Sequence, residues 1–223
     1  MTVIPQQEPP AGCPADFDCQ APLGSLGAWL RPAFESFARH TGYLKPEPSR
    51  VALYRQRLGG DARERPGIVG ISWKSANKEL GIHKSSALRD WLGVLQVAGV
   101  RFVDLQYGDT AAERAAVEDE AGTRIEHLPE LDLYQDLDGL AALCAACDLV
   151  ITASNVTAHV AGALGRPVWL LVPLANGKLW YWFSDRTDSP WYPAMRIYTQ
   201  STRGEWRGVF ETVARELVAL ARK

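Results

Sequence analysis

Residues 148 to 172 read DLVITASNVTAHVAGALGRPVWLLV, and this stretch decides the fold. An apolar run ending at Ala153 has the character of a buried parallel strand. Ser154, Asn155 and Thr157 crowd the turn after it. A small-residue helix runs from Ala158 to Leu164, and Gly165 stops it. A second apolar run, Pro167 to Val172, begins at once. The unit is strand, turn, helix, strand, and its helix opens on polar caps. Free amides and the positive end of a helix dipole meet at that turn, which makes it a ready anion site. His159 falls in the first turn of the helix and adds a possible donor.

The same alternation spreads in both directions. GIVGISW (67–73), RFVDLQYG (101–108), TRIEHLP (123–129), DLVITAS (148–154) and MRIYTQ (195–200) read as strands. SALRDWLGVLQV (86–97), TAAERAAVEDEA (110–121) and LDGLAALCAACD (137–148) read as helices, and EWRGVFETVARELVALARK (205–223) as a long amphipathic one. Strands spaced by helices predict right-handed crossovers and a parallel sheet covered on both faces. The fold class expected is α/β, a Rossmann-like three-layer domain over residues 61–201, followed by a C-terminal amphipathic helix over 202–223. Residues 1–22 read as irregular. Within the segment up to residue 60, SRVALYRQRLGG reads as a short helix with a glycine stop, and YLKPEPSR as an extended connector. No internal repeat is present.

Composition narrows the function. The chain has 223 residues, of which 47% are hydrophobic, enough for a packed core, and its formal net charge is −2. That charge argues against a nucleic-acid binder that works by electrostatics. No run of about 18 apolar residues suggests a membrane span. The start, MTVIPQQEPPAG, lacks the basic and apolar regions of a secretion signal. With only four cysteines in a chain of this size, a reduced, cytoplasmic setting is expected. Cys144 and Cys147 form a CxxC that is either a redox pair, half a zinc site, or two small apolar residues on one helix face. No second CxxC or CxxH accompanies it, so no metal is expected.

Ligands of open α/β sheets sit outside the carboxyl ends of the strands. The loops there are Ser72-Trp73-Lys74-Ser75, Gln106-Tyr107-Gly108-Asp109, Ser154-Asn155-Val156-Thr157, and Pro173 onward, all polar or glycine-bearing. Lys74 follows the first strand, and Lys78 and Lys84 lie in the same long loop. A lysine there and the helix start at Asn155–Thr157 can meet one diphosphate through charge-assisted contacts. Asp136 and Asp138 flank the start of the 137–148 helix. They read as a cap and a dipole partner, or as contacts to sugar hydroxyls. The segment LWYWFSDRTDSPWYP (179–193) is dense in aromatics. Three readings compete: a plug for the domain, a stack on a nucleotide base, or a cover for a partner surface. GISWKSANK (70–78) stands where a GxGxxG would be, so a nicotinamide enzyme is disfavoured. The sequence holds no GxxxxGK[ST] and no GxSxG.

In order along the chain, GISWKS, the KS at 84, VRFVDLQYGD, DLDGLAALCAACDLVITASNVTAHVAGALGRPVWLLVP, DSPWYPAMRIYTQ and GEW resemble the carboxyl-terminal, donor-binding half of GT-B glycosyltransferases. The pattern is similar to domains fused to tetratricopeptide repeats, akin to the ADP-heptose:lipopolysaccharide heptosyltransferases. It covers residues 16–218, with 16–60 resembling the connector between the two GT-B halves. The resemblance implies a nucleotide-diphosphate sugar as substrate, with no metal or other cofactor. Lys74 and Lys84 match positions that contact the donor diphosphate. Asn155, Thr157 and His159 match the turn and helix start beneath it. The site set expected is therefore Ser72, Lys74, Lys84, Gln106, Tyr107, Asp138, Ser154, Asn155, Thr157 and His159, with the catalytic base unassigned. In heptosyltransferases the turn is usually Asp-Thr-Gly; Ser154-Asn155-Val156-Thr157 departs from it. The residues before the first regular strand are too few for an amino-terminal GT-B half. A separate half or a repeat protein is the partner expected, and the apolar face of the last helix is a place where it could pack. The alternative reading is a non-catalytic module that binds a nucleotide sugar or a protein.

Overall fold

The computed structural model describes residues 21–59 and 67–222. The chain divides into two units, residues 1–38 and 39–223. In the first, 3₁₀ turns at Leu23–Ser25 and Phe34–Ser36 flank a short helix, α1 (Leu26–Leu30), on which Trp29 and Leu30 are exposed. The irregular reading of residues 1–20, with Cys13 and Cys19, lies outside the described residues.

The second unit holds the sheet. Its elements run α2 (Pro48–Arg57), β1 (Gly67–Ser72), α3 (Gly81–Lys84), α4 (Leu92–Leu95), β2 (Val100–Asp104), α5 (Ala111–Ala121) and β3 (Ile125–Glu126). They continue α6 (Leu137–Ala146), β4 (Leu149–Ala153), α7 (Val156–Ala163), β5 (Val168–Val172), β6 (Met195–Thr199) and α8 (Arg207–Ala221). The six strands pair in the order β3-β2-β1-β4-β5-β6, all parallel. This is the α/β, Rossmann-like arrangement that the alternating pattern predicts. Strand order reverses between β1 and β4, and a crevice opens there at the carboxyl edge.

Strand side chains alternate between two cores. Ile68, Val103, Val150 and Leu170 point to the face covered by α2, α6 and α7. Val69, Ile71, Phe102, Leu149 and Ile151 point to the face covered by α4, α5 and α8. Val209, Phe210, Val213 and Leu217 of α8 are buried in this second core. Fully burying each such side chain contributes about 1.5–3 kcal/mol. The apolar face of α8 is thus satisfied within its own domain, and the expectation that it needs a partner is corrected.

α6 packs closely because position 70 is glycine. A Cβ there would lie 2.3 Å from Leu105 Cδ1 and 3.0 Å from Cys147 Sγ. Cys144 and Cys147 are free and buried, and burial pushes the Cys147 thiol up to about 12. A thiol held that firmly protonated is a poor nucleophile and a poor metal ligand. Of the three CxxC readings, the small apolar pair fits. Among the described residues no group of His, Cys, Asp and Glu could hold a metal ion, and no helix is long and apolar enough to cross a membrane.

Two elements are shorter than their sequences suggest. SALRDWLGVLQV forms a 3₁₀ turn, Leu88–Trp91, and then one α-helical turn. The Asp90 carboxylate accepts from Ala87 N, and Trp91 Nε1 donates to Ser86 Oγ, which tightens the entry; Gly93 weakens the helical turn in which it sits. TRIEHLP pairs only at Ile125 and Glu126. Glu118 Oε1 captures Ile125 N, and Pro129 has no N–H to give the ladder.

Candidate functional site at the carboxyl edge

The ends of β1, β2 and β4 are tied by one polar clamp. Gln106, two residues past β2, accepts on Oε1 from Ser72 Oγ (3.1 Å), Trp73 N (3.0 Å) and Lys74 N (2.7 Å). Asn155, two residues past β4, donates from Nδ2 to Ser72 Oγ (2.7 Å) and to Lys74 O (2.9 Å). Its Oδ1 accepts from Thr157 N (3.0 Å) and Thr152 Oγ1 (3.1 Å). Asn155 is therefore both the N-cap of α7 and the bridge to β1. Ser72, Gln106 and Asn155 are buried, and their polar atoms face one another.

Next to this clamp lies an open cleft of about 490 Å³. Lys84, Tyr107, Ser154, Asn155 and His159 line it, together with the start of α7 at Val156. An apolar wall of Leu133, Tyr134, Leu137 and Tyr181 faces them. Tyr107 and Tyr134 meet edge-on with ring centroids 5.9 Å apart. The Tyr107 hydroxyl accepts from Ala76 N at 2.6 Å, which fixes the loop after β1 against that wall.

Lys84 stands out for its lack of a counter-charge. It is only 5% exposed, and no acidic side chain pairs with it among the described residues. Burial holds its pKa below the ordinary lysine value. Its position depends on a close chain approach. Ser75 N donates to Ser85 Oγ (3.0 Å), Ser85 Oγ donates to Gly81 O (2.7 Å), and a Cβ at position 81 would lie 2.5 Å from Ser75 O. Only glycine at 81 lets the short α3 fold back against the β1 loop and turn Lys84 inward.

His159 is the second group of note. Its Nδ1 lies 3.0 Å from Tyr192 Oη, and its ring stacks on Trp182 with centroids 5.0 Å apart at 19°. Trp182 is fully buried and donates from Nε1 to Ser154 Oγ at 2.8 Å. Burial, and then the nearby Lys84 ammonium, lower the His159 pKa, so the imidazole is neutral at pH 7. Of the three readings of the aromatic segment 179–193, a structural plug describes Trp182 and Tyr192, which brace His159. Trp180 stays 67% exposed.

The other expected residues fall elsewhere. The Lys74 ammonium pairs with Glu113 of α5, away from the cleft. The pair lies in a separate groove that Ala87, Leu88 and Val117 also line. Thr157 is fully buried, and its Oγ1 has no hydrogen-bond partner among the described residues. Asp138 is exposed in the first turn of α6, where Asp136 caps the helix by accepting from Gly139 N at 2.7 Å. The wall residues Leu133, Tyr134 and Leu137 were not legible as site residues. Their only sequence signal is an aromatic and two leucines in the polar approach to α6.

The sequence matches no protein-family model. It is 38% identical over 205 residues to Protein FlbA of Caulobacter vibrioides, an overlap of 90% of this chain and 33% of that protein. The fold overlays the Escherichia coli ADP-heptose lipopolysaccharide heptosyltransferase II with a TM-score of 0.54 at 18% identity, covering 81% of this chain and 54% of that one. It overlays a glycosyl transferase family 9 protein from Veillonella parvula with a TM-score of 0.56 at 13% identity, covering 82% and 55%. The chain thus spans a third of the curated relative's length and just over half of each solved structure's. At these identities the two structures establish a shared fold.

Proposed function

We propose that this chain supplies the donor-binding site of a GT-B glycosyltransferase, holding a nucleotide-diphosphate sugar for transfer to an acceptor hydroxyl. One observation carries the reading: Lys84, a buried lysine with no carboxylate partner among the described residues, lines a cleft at the switch point of the sheet beside the start of α7. A buried cation is costly unless an anion meets it. A diphosphate supplies that charge and lies where the helix dipole favours it. The apolar side chains of Leu133, Tyr134 and Leu137, with the Tyr107 ring edge-on to Tyr134, offer a surface against which the base can pack. His159, neutral and fixed through Nδ1, presents its other ring nitrogen as a partner for a phosphate or sugar oxygen.

In the transfer step the acceptor hydroxyl oxygen bonds to the anomeric carbon as the bond from that carbon to the diphosphate oxygen breaks, the hydroxyl proton passes to a base on the acceptor side, and negative charge grows on the leaving oxygen. Lys84 and the α7 dipole are fixed before that charge develops, so they stabilise the transition state more than the ground state. Gln106 and Asn155 hold the loops that frame the cleft. The fold shared with two glycosyltransferases supports this assignment.

The test is calorimetric titration with ADP, UDP and GDP, their monophosphates and their sugar derivatives. Diphosphates should bind more tightly than the matching monophosphates. Lys84→Ala should weaken them, while Lys74→Ala should leave them nearly unchanged because Glu113 already pairs with that ammonium. No binding of any nucleotide, or loss on Lys74→Ala alone, refutes the arrangement. Turnover assays with the chain alone and with a candidate acceptor-binding half then separate an enzyme from a binding module.

A further inference from the structure

A second hollow of about 440 Å³ opens at the same edge of the sheet. It lies between the loops after β5 and β6 and the segment around α3. Lys84 lines the first cleft, whereas its neighbours His83 and Ser85 line the second. Position 177 lets the loop after β5 close on α3. It holds φ +86°, and a Cβ there would lie 2.9 Å from His83 Cβ, so only glycine fits. Asn176, the residue before it, is exposed and lines the hollow.

Gln200, the residue after β6, is 2% exposed and lines the hollow as well. Its Oε1 accepts from Leu174 N (3.2 Å) and Gly204 N (3.1 Å), and these two donors fix which way the amide points. Its Nε2 is left with no hydrogen-bond partner among the described residues. Buried donors are almost always satisfied, so this one marks a place where a ligand acceptor belongs.

The rest of the lining is rich in donors. The Arg203 guanidinium and the His83 ring have no hydrogen-bond or ion-pair partner among the described residues. Ser86 Oγ accepts from Trp91 Nε1 at 2.9 Å and keeps its own hydrogen to donate. The single carboxylate of the lining, Asp90, accepts from Ala87 N at 3.1 Å. Asp90, Gly204 and Trp206 also line a groove along α8, so the carboxylate stands where the two hollows meet.

The hydrogens offered by Gln200, Asn176, Arg203, His83 and Ser86 outnumber the roughly four lone-pair sites of a carboxylate. A phosphate monoester brings three strong acceptor oxygens and a charge of about −1.5 to −2 at pH 7, and its oxygens match a guanidinium in pairs. At the other end Asp90 can accept from a hydroxyl, and the half-buried Trp206 indole can cover a C–H surface. We propose that the second hollow binds a phosphate monoester of a small hydroxylated molecule, its phosphoryl group held by Gln200, Arg203, Asn176 and His83. This site is separate from the diphosphate cleft and does not rest on the glycosyl-transfer reading.

Proton–nitrogen correlation NMR on the full chain tests this, with glycerol 1-phosphate and glucose 6-phosphate as probes and glucose and glucuronate as comparisons. The Gln200 side-chain amide should shift saturably with at least one ester and should not respond to glucose. Glucuronate should need about tenfold more ligand for the same response, having fewer acceptor oxygens. Arg203→Ala, at an exposed position, should weaken ester binding about tenfold or more, and Asn176→Ala, also exposed, about threefold. Lys84→Met should leave it nearly unchanged. No saturable shift at Gln200, an equal response to glucose or glucuronate, or binding lost in Lys84→Met but kept in Arg203→Ala overturns the proposal. ADP titrated into the same samples reports on the first cleft, so failure there with ester binding retained counts against the donor site alone.

Discussion

Replacing Lys84 by methionine should make this protein more stable and less able to bind a diphosphate. The substitution keeps most of the side-chain volume and removes the ammonium of a residue that is 5% exposed and has no acidic partner among the described residues. Relieving a buried, uncompensated charge typically gains about 1 kcal/mol. In a domain of this size that raises Tm by roughly 2–4 °C. The pH dependence has a definite sign. Burial lowers the folded-state pKa of Lys84 below its ordinary 10.5. Between the folded value and 10.5 the unfolded chain binds more protons, so wild-type stability gains from this group as pH rises through that window. The advantage of Lys84→Met should therefore shrink toward pH 10. In the opposite direction, a charge-assisted contact to phosphate contributes about 1.5–3 kcal/mol. Its loss should raise the Kd for ADP roughly ten- to a hundredfold. Thermal melts from pH 7 to 10 and ADP calorimetry on both proteins provide the readings. A lower Tm for the variant together with unchanged ADP affinity would show that Lys84 serves the fold and not an anion.

Three further outcomes rest on the same geometry. Asn155→Ala removes the α7 cap and leaves Ser72 and Thr152 short of partners, so urea denaturation should show a loss of about 2–4 kcal/mol. Gly81→Ala places a methyl 2.5 Å from Ser75 O; it should cost about 1–3 kcal/mol and weaken ADP binding without touching the ligand, as denaturation and calorimetry together would show. His159 has a folded pKa below 6.5, so the unfolded chain takes up the extra proton as pH falls through 6.5 and stability drops across that window. His159→Gln should flatten the stability profile between pH 5 and 7 in denaturant titrations, and an unchanged slope would show that the imidazole is not held neutral.

The sheet was legible because its strands are buried on both faces and punctuated by polar turns. Leu149–Ile151 and Val168–Val172 are unbroken apolar runs, the signature of strands covered on both faces. The pattern of TRIEHLP overstates β3 because it does not show that Glu118 takes the N–H of Ile125. The periodicity of residues 86–97 overstates the helix there, since it does not register the local hydrogen bond from the Trp91 indole to Ser86 or the cost of Gly93 in the helical turn.

The site was legible as a place and less so as a set of side chains, and the reason lies in the lysines. Lys74 and Lys84 sit in one polar loop and look equivalent in sequence. Packing in three dimensions separates them: Glu113 on α5 reaches one ammonium, and the glycine at 81 folds the other under the edge of the sheet. Polar residues at strand ends likewise divide into two jobs that composition does not distinguish. Ser72, Gln106 and Asn155 spend their hydrogen bonds on each other and set the shape of the crevice, whereas Lys84 and His159 keep capacity unspent. An anion arriving at this edge would meet a rigid frame already complete and a buried cation still lacking its counter-charge. On the proposed function, that pairing of a closed frame with an open charge predicts that substitutions in the frame lower stability and affinity together, while those at Lys84 move them in opposite directions.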